Sequence, residues 1–592
     1  MARSWRRWSS GARTPTSSWG RGRTWSSRRF PGCGWPRSAP PFAPSGRSRG
    51  TSRSVSRPRS AARPPSPVEL PSTWGELVIL ENGVIRTMEP SLPLARTLAI
   101  AGERVAGGVG PHETVLPSPE VVDLGGRCVL PGLTDAHVHF LQWALAQRQL
   151  RLDGTRSLEE AVAQVAEAAR AVPPGRWLRG RGWRAGTWRP PVEPSKEALD
   201  VVCGSRPVAL MAHDGHSLWL SSAALAAAGG DLDCPGGVVE RDDRGQPTGI
   251  LREQAAWRFW HRYVLAAVTE EEWEEALRAG VRVAATRGVT AIHDKDGALG
   301  ALARFQRLHE HGALTLRVWQ SLPCEQLEAV TSLGLRPGLG DSYLRLGYLK
   351  VFMDGTLGSG TARMLDGSGV EITSRQELER IVRGAAEAGW PVAVHAIGDR
   401  ANRDALDAFE RTRDAWQPRG LRQRIEHAQC LALEDIPRFA ALGVAASVQF
   451  SHAPSDRDLA ERLWAGRLDG AYAYRSLLDS GALLANGSDA PIEELDPLQG
   501  VCAAVLRTLD ERPPWRPEQA LTAKQAVFAS TVAPAWLSGD ERERGKLLPG
   551  YLADLVVLDR DPLSCPPQEL PEVRVVATMV GGRWVHNPPP WD

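Results

Sequence analysis

Two histidines one residue apart, His137 and His139, end the apolar run Val129-Leu130-Pro131-Gly132-Leu133-Thr134-Asp135-Ala136. Side chains alternate faces along an extended strand, so this spacing sets both imidazoles on one face, where they can hold a single metal ion. A ligand pair needs partners. The chain offers four more groups of suitable chemistry: Lys350 in Gly-Tyr-Leu-Lys-Val-Phe-Met-Asp, His395 in Val-Ala-Val-His-Ala-Ile-Gly-Asp-Arg, His427 in Arg-Ile-Glu-His-Ala-Gln, and Asp489 in Ala-Asn-Gly-Ser-Asp-Ala-Pro. Singly, some of these read otherwise, His395 as a hydrogen-bonded core histidine and Asp489 as a helix N-cap ahead of Pro491-Ile492. Lys350 is harder to explain away. A lysine inside an apolar strand is costly to bury charged, and must lose its proton or be chemically changed.

These residues act together only if one architecture gathers them. Strand-like runs alternate with helices that open on capping signals, Ser374 with Glu377, Thr269 with Glu272 and Thr522 with Gln525, the first followed by apolar residues at helical spacing (Leu378, Ile381, Val382, Ala385). Strand–helix alternation implies a parallel sheet. Buried-strand candidates are 128–139, 289–294, 314–322, 344–352, 391–397, 424–428, 444–449 and 483–489. That is the number a (β/α)8 TIM barrel requires, and active sites of that fold sit at the C-terminal strand ends. The first, fifth, sixth and eighth candidates carry the imidazoles and Asp489 at those ends, and the fourth carries Lys350. Four imidazoles, one lysine and one carboxylate thus converge on a metal site.

Around the barrel, at 126–535, residues 74–125 and 540–590 consist of short β-branched runs and turns. They are expected to pair into one composite β-sandwich, with residues 76–109 as an antiparallel meander turning at Asn-Gly. Residues 141–265, rich in Trp, Gly and Pro, are too long for a simple loop after the first strand and read as an inserted subdomain over the barrel mouth.

Of 71 basic residues, 15 arginines fall in residues 1–68, which hold no acid; the remaining 56 face 69 acids, a net charge of about −13. A nucleic-acid-binding body is excluded on that balance. The basic segment, with Trp5, Trp8, Trp19, Trp25 and Trp35, has neither helical nor strand period. It reads as a disordered tail, a transit peptide or a wrongly assigned start, dispensable to the folded protein. No apolar run approaches the ~20 residues of a membrane span. The eight scattered cysteines form no Cys-x-x-Cys pair, which suits a reducing, cytoplasmic setting.

The chain resembles the amidohydrolase superfamily, and within it the amidohydrolase-3 group of YtcJ-like and N-substituted formamide deformylase-like proteins. The resemblance spans about residues 76–587. It rests on Leu-Pro-Gly-Leu-Thr-Asp-Ala-His137-Val-His139, Asp214-Gly-His216-Ser, Lys350-Val-Phe-Met-Asp354-Gly-Thr-Leu-Gly-Ser, His395-Ala-Ile-Gly-Asp-Arg, Arg-Ile-Glu-His427-Ala-Gln, Gly-Ser-Asp489-Ala-Pro and Pro549-Gly-Tyr-Leu-Ala-Asp-Leu-Val-Val-Leu-Asp. It implies a divalent metal centre with two Zn2+ per chain. His137, His139 and Asp489 would hold one ion, His395 and His427 the other, and a carbamylated Lys350 would bridge them. Carbamylation turns a cation into an anionic ligand, which removes the burial problem of this lysine.

The implied reaction is hydrolysis of a non-peptide C–N bond (amide, N-substituted formamide or cyclic amide) by metal-activated water, with Asp489 moving the proton and Asp214, His216 and Asp354 binding a small-molecule substrate. The same site would also suit esters, lactones or deamination, or a non-catalytic scaffold. A homodimer is the family-level expectation. Three departures bear on substrate choice: Ala212 and Gly360 stand where arginines are common, and Ser221-Ser222 replaces an Asn-Ser pair.

Overall fold

The computed structural model describes residues 77–107 and 120–591, apart from 174, 213, 214, 216, 235, 236 and 359. The basic segment 1–68 and the residues Asp214 and His216 lie outside the described residues.

Eight parallel strands, β1 (Leu133–Val138), β2 (Val289–Asp294), β3 (Arg317–Pro323), β4 (Leu344–Phe352), β5 (Val392–Ala396), β6 (Arg424–His427), β7 (Ala445–Val448) and β8 (Leu484–Asn486), pair in chain order. All eight fall within the runs expected for the barrel, except that β3 extends one residue further. The return from β8 to β1 is made beyond the ladder, by Asp489 N–H to His137 C=O at 2.7 Å and His139 N–H to Ala490 C=O at 2.9 Å. Gly487 permits this closure, since a Cβ there would stand 2.4 Å from the backbone nitrogen of His137.

Helices cover the outside through apolar stripes. In Arg375–Glu387, Leu378, Val382, Ala385 and Ala386 are buried, and Ser374 accepts a hydrogen bond from the Glu377 amide as its N-cap. Thr269 with Glu272 and Thr522 with Gln525 form complete capping boxes.

The first barrel strand is shorter than expected. Cys128–Pro131 pairs instead with Val84–Arg86 and Leu555–Leu558, in a six-stranded sheet drawn from both ends of the chain. The chain changes sheets at Gly132, where a Cβ would lie 2.2 Å from Thr290 Oγ1. Nor is Asn82-Gly83 a hairpin turn. Leu77–Glu81 lies in the other, four-stranded sheet and Val84–Arg86 in the six-stranded one, and both take a parallel neighbour, so the chain crosses between sheets at Asn82-Gly83, while Leu77–Glu81, Leu98–Ala101 and Arg104–Gly107 keep the expected antiparallel pairing. Leu80, Ile85, Leu98, Val129, Leu555 and Met579 fill the core between the sheets.

The insertion forms a six-stranded mixed sheet running from Leu150–Arg151 to Gly237–Arg241, with helices Leu158–Ala171 and Lys196–Cys203 packed through Val165, Ala169, Leu199 and Cys203. It meets the barrel just beyond Asp489. Arg181 donates to the Pro491 carbonyl at 3.0 Å, and Arg151 lies 3.2 Å from Glu494. Among the described residues no helix is long and apolar enough to cross a membrane, and the seven described cysteines are free.

Candidate metal centre

Register brings Lys350 and His395 within two residues of each other along the ladder. Lys350 on β4 stands opposite Pro323 on β3 and Ala393 on β5, and His395 stands opposite Phe352 and Glu426. His137 and His139 follow from β1 with ring centroids 5.8 Å apart; His427 is 4.7 Å from the His137 ring and 4.5 Å from that of His395. Asp489 Oδ1 lies 3.3 Å from His137 Nε2 and 3.6 Å from His139 Nε2, and Oδ2 lies 4.0 Å from His427 Nδ1.

Two of these residues need unusual backbone. His427 has φ 76° and Asp489 φ 58°, left-handed conformations that are costly for residues other than glycine and that gather at functional sites. At His427 the consequence is direct. Adjacent strand residues normally face opposite sides, yet Glu426 reaches His137 while the His427 ring sits against those of His137 and His395.

The donor set fits a divalent cation. His137 Nδ1 is 2.7 Å from Glu426, His139 Nδ1 2.9 Å from Asp296 and His427 Nδ1 2.9 Å from Gln449 Oε1. Each acceptor fixes an Nδ1–H tautomer and leaves an Nε2 lone pair, the arrangement of metal-ligating imidazoles. His395 is reversed, with Nε2 donating to the Gly355 carbonyl at 3.0 Å, which leaves Nδ1 as its lone pair. Ligand atoms of His137, His139 and Asp489 lie within 4.8 Å of one another, as do those of His427, His452 and Asp489. His137 Nε2 and Lys350 Nζ are buried without a hydrogen-bond partner, and such orphans call for an ion or a modification.

Electrostatics suit the same use. Burial pulls the imidazole of His395 down to about 3 and those of His137 and His427 below the ordinary value, so all three are neutral near pH 7. Burial also lowers His139, but the hydrogen bond and charge of Asp296 outweigh it and leave this ring raised. Asp489 is pushed up by burial and down further by His137, His427 and His139, which hold it ionised. Burial brings Lys350 down to about 8.

A family model described as "Amidohydrolase family" matches residues 120–586. The chain belongs to the amidohydrolase family. YtcJ of Bacillus subtilis is 32% identical over 510 residues, covering 82% of this chain and 94% of YtcJ. The N-substituted formamide deformylase of Arthrobacter pascens is 29% identical, covering 86% and 97% of the two chains. The crystal structure of an uncharacterized metal-dependent hydrolase from Pyrococcus horikoshii superposes with a TM-score of 0.71 at 29% identity, covering 83% of this chain and 99% of that one.

Within this amidohydrolase, Asp354 sits beside His395, 3.7 Å from Nε2, but its buried carboxylate accepts the amides of Ile397, Gly398 and Arg363 at 3.0, 2.9 and 2.9 Å. It ties the loop after β4 to the end of β5. Ser221 is fully buried as the cap of helix Ser222–Ala226, and Gly360 has φ 67°, a conformation that disfavours arginine.

Sequence reasoning assigned no role to Glu426, Asp296, Gln449 or His452. Glu426 was legible in principle, as a carboxylate inside a buried strand next to a candidate ligand. The others follow their strands at spacings that carry no period.

Depressed imidazoles have a stability consequence. The unfolded chain takes up protons below pH ~6.5 that the folded site refuses. The contribution is complete above that pH and is lost as pH falls toward 3, the value for His395. Buried Asp135 and Asp354, both raised to about 7, act in the opposite sense, so the comparison is with a variant. The melting temperature of metal-free wild type, relative to His395→Asn, should fall progressively from pH 6.5 to 4.5. A constant difference would contradict a buried neutral imidazole.

Proposed function

We propose that this amidohydrolase is a metal-dependent hydrolase that cleaves a non-peptide C–N bond in a small molecule. The observation that carries the reading is the cluster of four imidazoles, three of them buried, with one carboxylate and an unpartnered lysine amine at the strand ends. His137, His139 and Asp489 would hold one divalent ion and His395 and His427 a second, with zinc the candidate and Lys350 bridging as a carbamate. Bound there, such ions lower the pKa of water toward ~7 and polarise a carbonyl.

The chain's own residues supply the rest. Ionised Asp489 takes the proton that the attacking water gives up as the C–O bond forms. It returns that proton to the nitrogen as the C–N bond breaks, leaving a carboxylic acid and an amine. Glu426, Asp296 and Gln449 hold three imidazoles in one tautomer throughout. Phe352, 43% exposed with its ring 5.2 Å from that of His395, offers an apolar wall for the group carried by the scissile amide.

The test is turnover by purified protein of N-substituted formamides, N-acyl amines and cyclic amides, beside esters and lactones of matched shape. Amide hydrolysis at least ~10-fold faster in kcat/KM than the paired esters is expected, about 1.4 kcal/mol of discrimination. A preference for esters, or turnover of none with metal in place, would overturn the C–N assignment.

A further inference from the structure

His452 follows β7 by four residues, is 5% exposed, and belongs to neither ligand set of the proposed centre. Its ring lies parallel to that of His427, 6.5 Å away at 5°, and one of its nitrogens is within 4.8 Å of an Asp489 carboxylate oxygen. Its hydrogen bonding distinguishes it from His137, His139 and His427. The Nδ1 partners of His137, His139 and His427 are oxygen acceptors, whereas His452 Nδ1 is met at 2.9 Å by the amide nitrogen of Gln429, which can only donate. A neutral ring that accepts at Nδ1 carries its hydrogen on Nε2, and that nitrogen is buried without a partner. A protonated nitrogen cannot ligate a metal; it can donate.

We propose that His452 is a catalytic residue that donates its Nε2–H to the oxygen of the scissile carbonyl, with Gln429 the positioning residue that sets its tautomer. The proposal rests on the hydrolase reading above. When water adds to the carbonyl carbon, the C=O π pair moves onto this oxygen. His452 strengthens its hydrogen bond there and keeps its proton; Asp489 handles the proton of the attacking water.

The experiment uses full-length protein with metal per chain, melting temperature, kcat and KM read together. His452→Ala should lose about 10²–10³-fold in kcat, the usual effect of removing an oxyanion donor, with KM within a few-fold and metal unchanged. His452→Gln, which can return an N–H near Nε2, should recover at least ~10-fold of that loss. Gln429→Glu, whose carboxylate would turn the ring to the Nδ1–H form, should lower kcat toward the alanine level.

A second readout needs no turnover. Binding of methylphosphonate, whose tetrahedral oxygens mimic the adduct, should weaken at least ~10-fold in His452→Ala by calorimetry. Unchanged kcat and phosphonate affinity in His452→Ala, wild type that does not bind the phosphonate, or metal lost in step with activity would each overturn the proposal. If His452→Ala does not fold, His452→Gln no more active than His452→Asn does so. A wild type that binds phosphonate through His452 but hydrolyses nothing would instead count against the hydrolase reading.

Discussion

Replacing Lys350 by methionine is expected to reduce kcat/KM by at least about 10³-fold while leaving the metal-free protein as stable as the parent, or more so. Ordinarily the loss of a buried polar residue destabilises, because it strands a partner. Lys350 has no hydrogen-bond partner to strand. Its amine is buried, and desolvation brings it down to about 8, a sign that the folded state disfavours its charge. Its Nζ sits 4.9 Å from the centre of the Phe352 ring, where a methionine thioether packs as well. Function and stability should therefore move apart in this variant. Denaturant unfolding of metal-free wild type and variant, beside their turnover, measures both. A marked fall in stability would mean that the amine has a structural task, and retained turnover would remove it from the site.

Glu426→Ala should move both quantities together. This carboxylate is fully buried and serves three groups: His137 Nδ1 at 2.7 Å, Lys295 Nζ at 3.2 Å and Arg424 Nε at 2.8 Å. Burial pushes it up, but Arg424, Lys295 and His137 outweigh this and hold it well below the usual carboxylate range. Without it, Lys295, already brought down to about 7 by burial and by Arg424, can shed its proton. Arg424 cannot, and would keep the Tyr348 ring face at 4.4 Å and contacts with His293 and the Ala136 carbonyl.

Breaking a buried pair from one side costs about 3–5 kcal/mol, and losing the acceptor that orients a ligand imidazole lowers metal affinity about 10–100-fold. Glu426→Gln keeps the shape and an acceptor oxygen, so its losses should be smaller on both counts. A destabilisation below ~1 kcal/mol for Glu426→Ala would show that water reaches Arg424 in the variant.

These two variants also mark how far the sequence could be read. The six predicted ligand-type residues were visible because each ends or interrupts an apolar run, and apolar runs of strand length survive in any context. Strand identity was legible for the same reason. Pairing partners were not: nothing local at Asn82-Gly83 or Pro131-Gly132 says that the chain there leaves one sheet for another, since the reason lies in Leu124, Thr290 and other residues distant in sequence. The buried charge of Lys295 was hidden likewise, its cost of burial being offset by Glu426 of another strand, whereas Arg424 meets Glu426 two residues along its own strand. His452 was hidden most deeply. Its chemistry depends on which atom of Gln429 faces it, a relation that only coordinates express.

The proposed chemistry depends on two ions held by these six side chains. The direct measurement is X-ray diffraction from crystals of the purified protein, at wavelengths either side of the absorption edge that its own fluorescence scan identifies. A two-ion centre would give two anomalous peaks, one among His137, His139 and Asp489 and one beside His395 and His427, with density continuing past Lys350 Nζ between them. An anomalous map empty at the cluster, with a bare Lys350 amine, would contradict it.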